Sequence, residues 1–403
     1  MESIKEIYKI GHGPSSSHTM GPGKAAEIFC SHVPQCLRVK VTLYGSLAAT
    51  GRGHLTDKAL ETIFKKNHIQ TEIVWDPKTF LPFHPNGMKF EGFDAENHPV
   101  DDWTVFSVGG GSLKEEHHKF LETQHSNIYE LTTISDIMKH CEKYGKNYWE
   151  YVQECEDNDI WDYLSEVWHQ MKESIQSGLC AEEVLPGSLH LKRKAATFYI
   201  KSMGLKASLE SQGLTFAYAL AVSEENAAGH VIVTAPTCGS CGVLPAVLYH
   251  VQKIRGFMDT RILRALATAA LFGNVVKENA SISGAEVGCQ GEVGVACAMA
   301  AAASNQLFGG SPAQIEYAAE MGLEHHLGMT CDPVCGLVQI PCIERNAYAA
   351  LRALDANLYA SFTDGRHSVS FDRVVAVMKQ TGHDLPSLYK ETSEGGLAKL
   401  NLT

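Results

Sequence analysis

The chain has 403 residues and a formal net charge of −12, with 44% apolar and 20% charged residues. This composition is typical of a globular protein, and the length exceeds one ordinary core, so two domains are predicted. The acidic balance argues against nucleic acid and anionic membrane surfaces as partners. Residues 1–9 are amphipathic and lack the apolar core of a signal peptide, so we expect a cytoplasmic protein whose twelve cysteines are reduced.

Strand patterns come first along the chain. They occupy residues 37–44, 71–75 and 104–108, where β-branched side chains recur and polarity alternates at period two. Residues 56–66 have helical spacing between the first two strands. This mixture predicts an α/β domain.

Composition changes after this region. Residues 151–180 are polar with helical spacing, and the segments that follow are rich in Ala, Leu and Met, separated by Gly and Pro. The predicted fold class is therefore α+β multidomain. It comprises an α/β domain with a small sheet (residues 1–150), a helical connector (151–180) and an all-α domain (181–403).

A loop rich in glycine, proline and hydroxyl side chains spans residues 11–22. Its three consecutive serines, followed by His18 and Thr19, supply hydroxyl and N–H donors ahead of a helix. Such a loop can hold a carboxylate. The same serines could instead only cap the helix.

Further glycine-rich turns follow. The turn at residues 45–54 presents Arg52 and His54, either of which could bind a carboxylate or move a proton. Turns at residues 82–88 and 107–112 contain Asn-Gly and Gly-Gly-Gly, which allow a close backbone approach but form no dinucleotide-binding fingerprint.

The helical region contains two groups of reactive side chains. Cys238 and Cys241 have the spacing of a thiol–disulfide pair, but no βαβ context surrounds them, so metal ligation and simple burial stay open. Residues 277–289 combine Lys, Asn, Ser and Glu inside an apolar domain. Because burying such groups is costly unless they are paired or serve a site, this stretch predicts function.

Three more cysteines, Cys289, Cys331 and Cys342, lie among glycines, prolines and titratable residues such as Glu344 and Arg345. They lack the close Cys-x-x-Cys pairs of a structural zinc site. Three thiolates can hold three irons of a cubane cluster and leave the fourth iron as a Lewis acid. The alternative is that they are inert core residues, but their surroundings favour a metal or cluster site.

Four stretches, in order, resemble the iron–sulfur-dependent L-serine dehydratase family in its single-chain form. They are residues 13–22, 225–229, 281–294 and 331–346. The resemblance covers nearly the full chain and implies an L-serine ammonia-lyase, a carbon–nitrogen lyase that deaminates L-serine to pyruvate and ammonia. It also implies a [4Fe–4S] cluster ligated by Cys289, Cys331 and Cys342, whose open iron acts on the substrate hydroxyl.

Roles for other residues follow once this family is considered. The residues assigned to the amino-acid head group are Ser15, Ser16, Ser17, His18, Thr19 and Asn86. His54 and Lys277 are the candidates for the base that removes the Cα proton, with His18 as a further catalytic residue. Lys277 would have to be desolvated to act as a base. This division predicts a site between the domains, and we expect a homodimer.

The chain departs from the family pattern at two places. Cys335 stands where relatives usually have a small residue, and it could offer a competing thiolate. Many relatives also carry a cysteine soon after the Gly-Gly-Leu-Ala that here ends at Ala398, and no cysteine follows it in this sequence. We therefore expect a cluster without a thiol cap, and hence one that is more sensitive to oxygen.

Two other functions stay open at this level. A pyridoxal-phosphate dehydratase would catalyse the same reaction through a Schiff-base lysine, although no convincing lysine with a phosphate-binding loop is present. A non-enzymatic amino-acid-binding protein with a structural metal would form no pyruvate.

Overall fold

Two hydrophobic cores organise the chain in the computed structural model, which describes residues 1–117, 119–121, 127–392 and 394–400. The smaller core lies within residues 25–113 and is built on a sheet, whereas the larger core is helical. The prediction of an N-terminal α/β region with a small sheet and a C-terminal helical region is confirmed. The boundaries at residues 150 and 180 stay predictions, although helices from Ile134 onward already belong to the helical core.

Seven strands occur among the described residues. They are β1 (Ile10–His12), β2 (Arg38–Tyr44), β3 (Gln70–Asp76), β4 (Gly87–Phe93), β5 (Pro99–Ser107), β6 (Leu113–Lys114) and β7 (Val231–Val233). Strands β2 to β6 form one sheet in the order β3-β2-β4-β5-β6, in which β3 runs parallel to β2 and the other pairs are antiparallel. The three strands predicted from sequence correspond to β2, β3 and β5.

Three helices belong to the sheet region: α1 (Gly21–His32), α2 (Gly45–Thr50) and α3 (Thr56–Lys66). The bounds of α3 are those predicted. Phe29 of α1 stacks on Phe90 of β4 with 5.3 Å between ring centroids, and Phe64 of α3 lies 6.2 Å from the same ring. Burying each phenylalanine contributes about 1.5–3 kcal/mol, which fixes both helices on the sheet.

The remaining helices form the second region. They are α4 (Ile134–Tyr144), α5 (Tyr148–Cys155), α6 (Ile160–Cys180), α7 (Ala195–Ser202), α8 (Ala207–Ala227), α9 (Val243–Arg255), α10 (Asp259–Asn279), α11 (Gly284–Val287), α12 (Val293–Leu307), α13 (Pro312–Glu324), α14 (Cys342–Ser361) and α15 (Phe371–Asp384). Helix α12 is central, since every residue except Gln306 is buried. Its alanines allow close packing: a Cβ added to Gly322 of α13 would lie 3.0 Å from the Ala298 backbone. Among the described residues, no helix combines the length and apolar character needed to cross a bilayer.

The N-terminal segment connects the two regions. Strand β1 pairs antiparallel with β7, with Ile10 opposite Val233. Just beyond it, the Asn226 side chain donates a hydrogen bond to the Pro14 carbonyl at 2.9 Å. A Cβ on Gly13 would lie 2.2 Å from the Asn226 amide oxygen, so this approach requires glycine. The serine-rich loop is thus held against the helical region before it enters α1 on the sheet.

Candidate active site

The three predicted ligand cysteines come together from three separate segments. Cys289 opens a 3₁₀ turn after α11, and Cys342 is the first residue of α14. Cys331 lies in an extended stretch whose N–H donates to the Tyr389 carbonyl at 2.8 Å. All three are buried. The fold therefore gathers thiols that are far apart in sequence.

The thiols of the three cysteines affect one another's protonation. The Sγ atoms of Cys289 and Cys331 and a carboxylate oxygen of Glu292 all lie within 4.8 Å of one another. A hydrogen bond from Cys331 lowers the pKa of Cys289 to about 6 against the opposing effect of burial, with help from Arg345. The pKa values of Cys331 and Cys342 are raised, the first mainly by that shared hydrogen bond and the second mainly by burial. Because metal ligation requires thiolates, a bound cation would favour the deprotonated form of all three cysteines.

Glycine allows the loop before Cys289 to approach the thiols. A Cβ on Gly284 would lie 3.2 Å from the Cys331 Sγ and 2.7 Å from a Glu292 carboxylate oxygen. Gly288, immediately before Cys289, has φ of +74°, which side chains rarely adopt. The glycines of this motif therefore serve the cysteine site directly.

Cys335 does not join this group. Cys335 is exposed, whereas the three ligand candidates are buried. Its φ is +56°, a left-handed conformation that is unfavourable for a residue with a Cβ. The backbone of this turn lies against the sheet region, since a Cβ on Gly53 would be 3.1 Å from the Cys335 carbonyl. Exposure thus distinguishes Cys335 from the three buried ligand candidates.

We expect the Cys335→Gly variant to be about 1 kcal/mol more stable than the wild type, because glycine relieves the left-handed strain. Urea unfolding of the cluster-free protein measures this difference. Cys335→Ala keeps the strain and serves as the control, with a stability within about 0.5 kcal/mol of the wild type. A glycine variant no more stable than the alanine variant would contradict the expectation.

His18 is completely buried in the serine-rich loop, within a single π-helical turn at Ser16–Met20. Its Nε2 lies 3.2 Å from the Ser46 carbonyl, which can only accept, so Nε2 carries the hydrogen. Its Nδ1 then accepts from the Ser17 hydroxyl at 2.9 Å. Burial lowers the pKa of His18 to about 4. At neutral pH this ring is uncharged and both of its nitrogens are engaged.

His54 packs edge-on against His18, with ring centroids 4.5 Å apart. Its Nδ1 lies 3.4 Å from the Thr50 hydroxyl, whose one proton is already donated to the Ser46 carbonyl. His54 therefore donates from Nδ1, which leaves the lone pair on Nε2. That atom is buried and has no hydrogen-bond partner among the described residues. Burial also holds the pKa of His54 well below its usual value, so the ring is a neutral base with an open acceptor.

Glu391 connects the histidines to the cysteines. Its Oε1 lies 3.5 Å from Nδ1 of His18 and 3.8 Å from Nδ1 of His54. Its N–H donates to the Cys331 carbonyl at 2.9 Å, and its own carbonyl accepts from the Ser46 hydroxyl at 2.8 Å. Burial, followed by the charges of Glu292 and Cys289, raises the pKa of its carboxyl. The two histidines and the cysteine group thus surround one centre between the two regions.

Sequence reasoning missed both acidic members of this centre. Glu292 follows Cys289 by three residues and directly precedes the apolar run at residues 293–303, so its burial cost could have identified it. Glu391 has no such signal, because its neighbours in sequence are ordinary polar residues.

The other predicted residues of the serine-rich loop are mostly engaged within the loop. Ser15 Oγ accepts from the His18 N–H at 3.1 Å, which is the capping role weighed as the alternative. Thr19 donates to the His54 carbonyl at 2.6 Å and so fixes that histidine. Ser16 is also buried here. These residues build and orient the histidine pair.

Asn86 lies in the turn before β4 and is completely buried. Its Nδ2 donates to the Ser107 carbonyl at 3.3 Å, whereas its Oδ1 has no partner among the described residues. A buried amide oxygen of this kind needs a donor, which a substrate could supply.

Lys277 lies elsewhere. On α10 it forms an ion pair with Glu2 at 2.7 Å, and it lines a cavity of about 390 Å³ together with Lys114 and Glu286. No described contact joins it to His18 or His54. The ammonium group of Lys277 is thus engaged by a carboxylate in a cavity apart from the histidine pair.

Cys238 and Cys241 are free, buried thiols. Burial raises both pKa values, which disfavours the thiolate that disulfide exchange requires. Cys238 lies beside Met20, with 3.5 Å between the two sulfur atoms. The predicted tail without a capping thiol extends past Leu400 into residues 401–403, which lie outside the described residues.

The buried histidines predict acid sensitivity. Because the folded-state pKa of His18 is about 4 and an unfolded histidine titrates near 6.5, the unfolded chain binds more protons between these values. The contribution of His18 to the free energy of unfolding is therefore fully present above pH 6.5. It is lost as the pH falls toward 4, a decrease of about 3 kcal/mol. Denaturant unfolding of the cluster-free protein at several pH values measures the loss. His18→Asn should flatten the profile, and an unchanged slope in that variant would contradict the assignment.

Sheet and helical regions that enclose buried cysteines beside a neutral histidine pair define a two-domain protein with a candidate metal-dependent catalytic centre. Comparison with known protein families matches residues 3–68 and 61–118 to the serine dehydratase beta chain, and residues 108–398 to the serine dehydratase alpha chain. The chain belongs to the serine dehydratase family, with both parts in one polypeptide.

Curated relatives match over nearly the whole chain. The L-serine dehydratase of Streptomyces coelicolor is 40% identical and the match covers 98% of each chain. The L-serine dehydratase of Haemophilus influenzae is 38% identical with 99% of each chain covered. L-serine dehydratase 2 of Escherichia coli is 39% identical, with 99% of this chain and 98% of the relative covered.

Proposed function

We propose that the protein is an L-serine ammonia-lyase that forms pyruvate and ammonia with a [4Fe–4S] cluster held by Cys289, Cys331 and Cys342. The observation that carries the proposal is the convergence of three buried cysteines on a centre shared with a neutral, open histidine. The names of the relatives, which match end to end, support L-serine as the substrate.

The residues present fit an iron–sulfur cluster. The donor set is three thiols from separate segments, which is typical of a cluster that keeps one iron open. Cys342 lies outside the set of ligand atoms within 4.8 Å of one another. Its thiol still feels the charge of Cys289, which raises the pKa of Cys342 after the larger effect of burial. The pKa of Cys289, at about 6, already favours one thiolate.

When bound, such a cluster supplies a Lewis acid that stabilises the departing hydroxyl oxygen of serine. The reaction also needs a base for the Cα proton. His54 is suited to this task because its Nε2 lone pair is unpartnered and its ring stays neutral. Thr19 and Thr50 hold the backbone and the Nδ1 side of that ring.

Asn86 is suited to the substrate head group. Its open Oδ1 can accept a hydrogen bond from the substrate ammonium. His18, whose nitrogens are both engaged, orients the Ser17 hydroxyl in the same loop. After elimination, the aminoacrylate released needs no further catalysis, since it tautomerises to an imine and hydrolyses in water.

Anaerobic purification tests the proposal. We expect iron and sulfide contents that each approach four per chain, together with pyruvate formation from L-serine. Pyruvate formation without iron, with loss of activity on borohydride treatment, would indicate a pyridoxal-phosphate enzyme instead. Iron without pyruvate would indicate an amino-acid-binding protein with a structural metal. The predicted homodimer stays a prediction.

A further inference from the structure

Arg345 is fixed in a position that the reaction itself does not explain. It lies in the first turn of α14, three residues after Cys342. Its Nη1 donates to the Thr330 carbonyl at 2.7 Å and its Nη2 to Asp332 Oδ1 at 3.1 Å. Thr330 and Asp332 are the residues on either side of Cys331. The guanidinium therefore binds the backbone and side chain on either side of Cys331. It does so from α14, the helix that begins with Cys342.

The third cysteine is also within its reach. The positive charge of Arg345 helps to lower the pKa of the Cys289 thiol. The guanidinium of Arg345 carries its positive charge throughout the ordinary pH range, because arginine is effectively always protonated. Its side chain is only 19% exposed, so water screens this charge weakly.

The other ionisable groups around the cysteines do not supply positive charge. The pKa values of His18 and His54 are lowered, so both rings are neutral. Glu292 and Glu391 bring carboxyl groups to the same thiols and supply no positive charge either. Asp332 partly balances the guanidinium that it binds. Arg345 is therefore the cationic side chain that the described contacts hold beside the cysteine segments.

We propose that Arg345 is a positioning residue whose fixed positive charge raises the reduction potential of the cluster and stabilises its three-thiolate ligand set. This inference rests on the proposed function, because it requires the cluster. A [4Fe–4S]²⁺ core with three thiolates carries one net negative charge, and a nearby cation favours the state with one more electron. Net charge and hydrogen bonds to sulfur are among the main determinants of cluster potential.

Substitutions at Arg345 and Asp332 are expected to shift the reduction potential of the cluster in opposite directions. Arg345→Gln removes the cation, so the cluster should become harder to reduce. Asp332→Asn removes the compensating carboxylate, so the cluster should become easier to reduce. Arg345→Lys keeps the charge but loses the two-point attachment, and it should restore most of the wild-type potential. Arg352→Gln makes the same change in net charge on the same helix, but Arg352 is exposed and lines a different cavity, with His325 and Asp355.

Redox titration of the anaerobic holoenzymes, followed by the electron paramagnetic resonance signal of the reduced cluster, tests this inference. At a fixed potential we expect the ratio of reduced to oxidised cluster to fall about tenfold in Arg345→Gln, a shift of about 59 mV for one electron. We expect a rise of at least about threefold in Asp332→Asn, and less than about a twofold change in Arg352→Gln.

The possible outcomes separate this inference from the proposed function. A wild-type protein that binds no cluster would overturn the proposed function. A wild-type cluster whose potential is the same in Arg345→Gln and Asp332→Asn would overturn only the role of Arg345. If Arg345→Gln retains too little cluster to titrate, the Asp332→Asn and Arg345→Lys variants decide the matter. A shift in Arg352→Gln as large as that in Arg345→Gln would indicate a general effect of net charge and would overturn the role of Arg345.

Discussion

Replacing Cys331 by serine is expected to remove the cluster and the activity together. Serine is nearly isosteric, so the buried segment that pairs with Tyr389 and Glu391 keeps its backbone hydrogen bonds. It supplies a poor ligand for iron, however, and the remaining two thiols cannot hold the cube. Because Lewis-acid stabilisation contributes several kcal/mol, the serine dehydratase activity should fall by about 10³-fold or more. Iron and sulfide content per chain, measured with kcat, checks both expectations.

Cys335→Ser is the matched control. The same chemical change at an exposed thiol, four residues along the chain, should leave iron content and kcat within about twofold of the wild type. If Cys335→Ser lost iron to the same extent as Cys331→Ser, the proposed ligand set of Cys289, Cys331 and Cys342 would be wrong. The exposed thiol would then have to enter the site on metal binding.

The second large effect is expected at His54. His54→Gln removes the Nε2 lone pair but keeps a side chain that can donate to Thr50. Loss of a general base typically costs 10²- to 10⁴-fold, so we expect kcat to fall by about 10³-fold with little change in KM and with unchanged iron content. Steady-state kinetics under anaerobic conditions, together with the cluster absorbance, measure these quantities.

Lys277→Gln tests the competing candidate for the base. It breaks the ion pair with Glu2, at 2.7 Å, in a cavity away from the histidines. Partly exposed pairs of this kind contribute about 1 kcal/mol or less, so stability should fall slightly and kcat should change by less than about threefold. A loss of kcat in Lys277→Gln that equals the loss in His54→Gln would assign proton removal to the lysine.

Local patterns were sufficient for much of the fold. The period-two alternation of residues 38–44 and the helical spacing of residues 56–66 both depend on neighbours within a few positions, and both elements occur as predicted. Burial of apolar side chains on one face acts at the same short range. The return of residues 1–8 to the helical core could not be predicted in this way, because it depends on β1 pairing with a strand more than 200 residues later.

The candidate site divides in the same manner. The cysteines and the serine-rich loop could be selected from sequence, since unusual residue types beside glycines stand out in any chain. The functional difference between His54 and Lys277 could not be predicted from sequence, because it depends on burial and on the hydrogen-bond or ion-pair partner of each nitrogen. Glu391 was not found at all, since the contacts that give it a role come from Ser46 and Cys331.

The sequence by itself therefore determined the two-part architecture, the three candidate ligands and the loop that accompanies them. Only the tertiary structure decided that Cys335 stays outside the cysteine group, that His54 holds the open lone pair, and that Arg345 and Glu391 belong to the same centre. The physical reason is that hydrophobic patterning is a local property of the chain. Electrostatic environment and hydrogen-bond pairing arise only when distant segments are brought within a few ångströms and water is excluded.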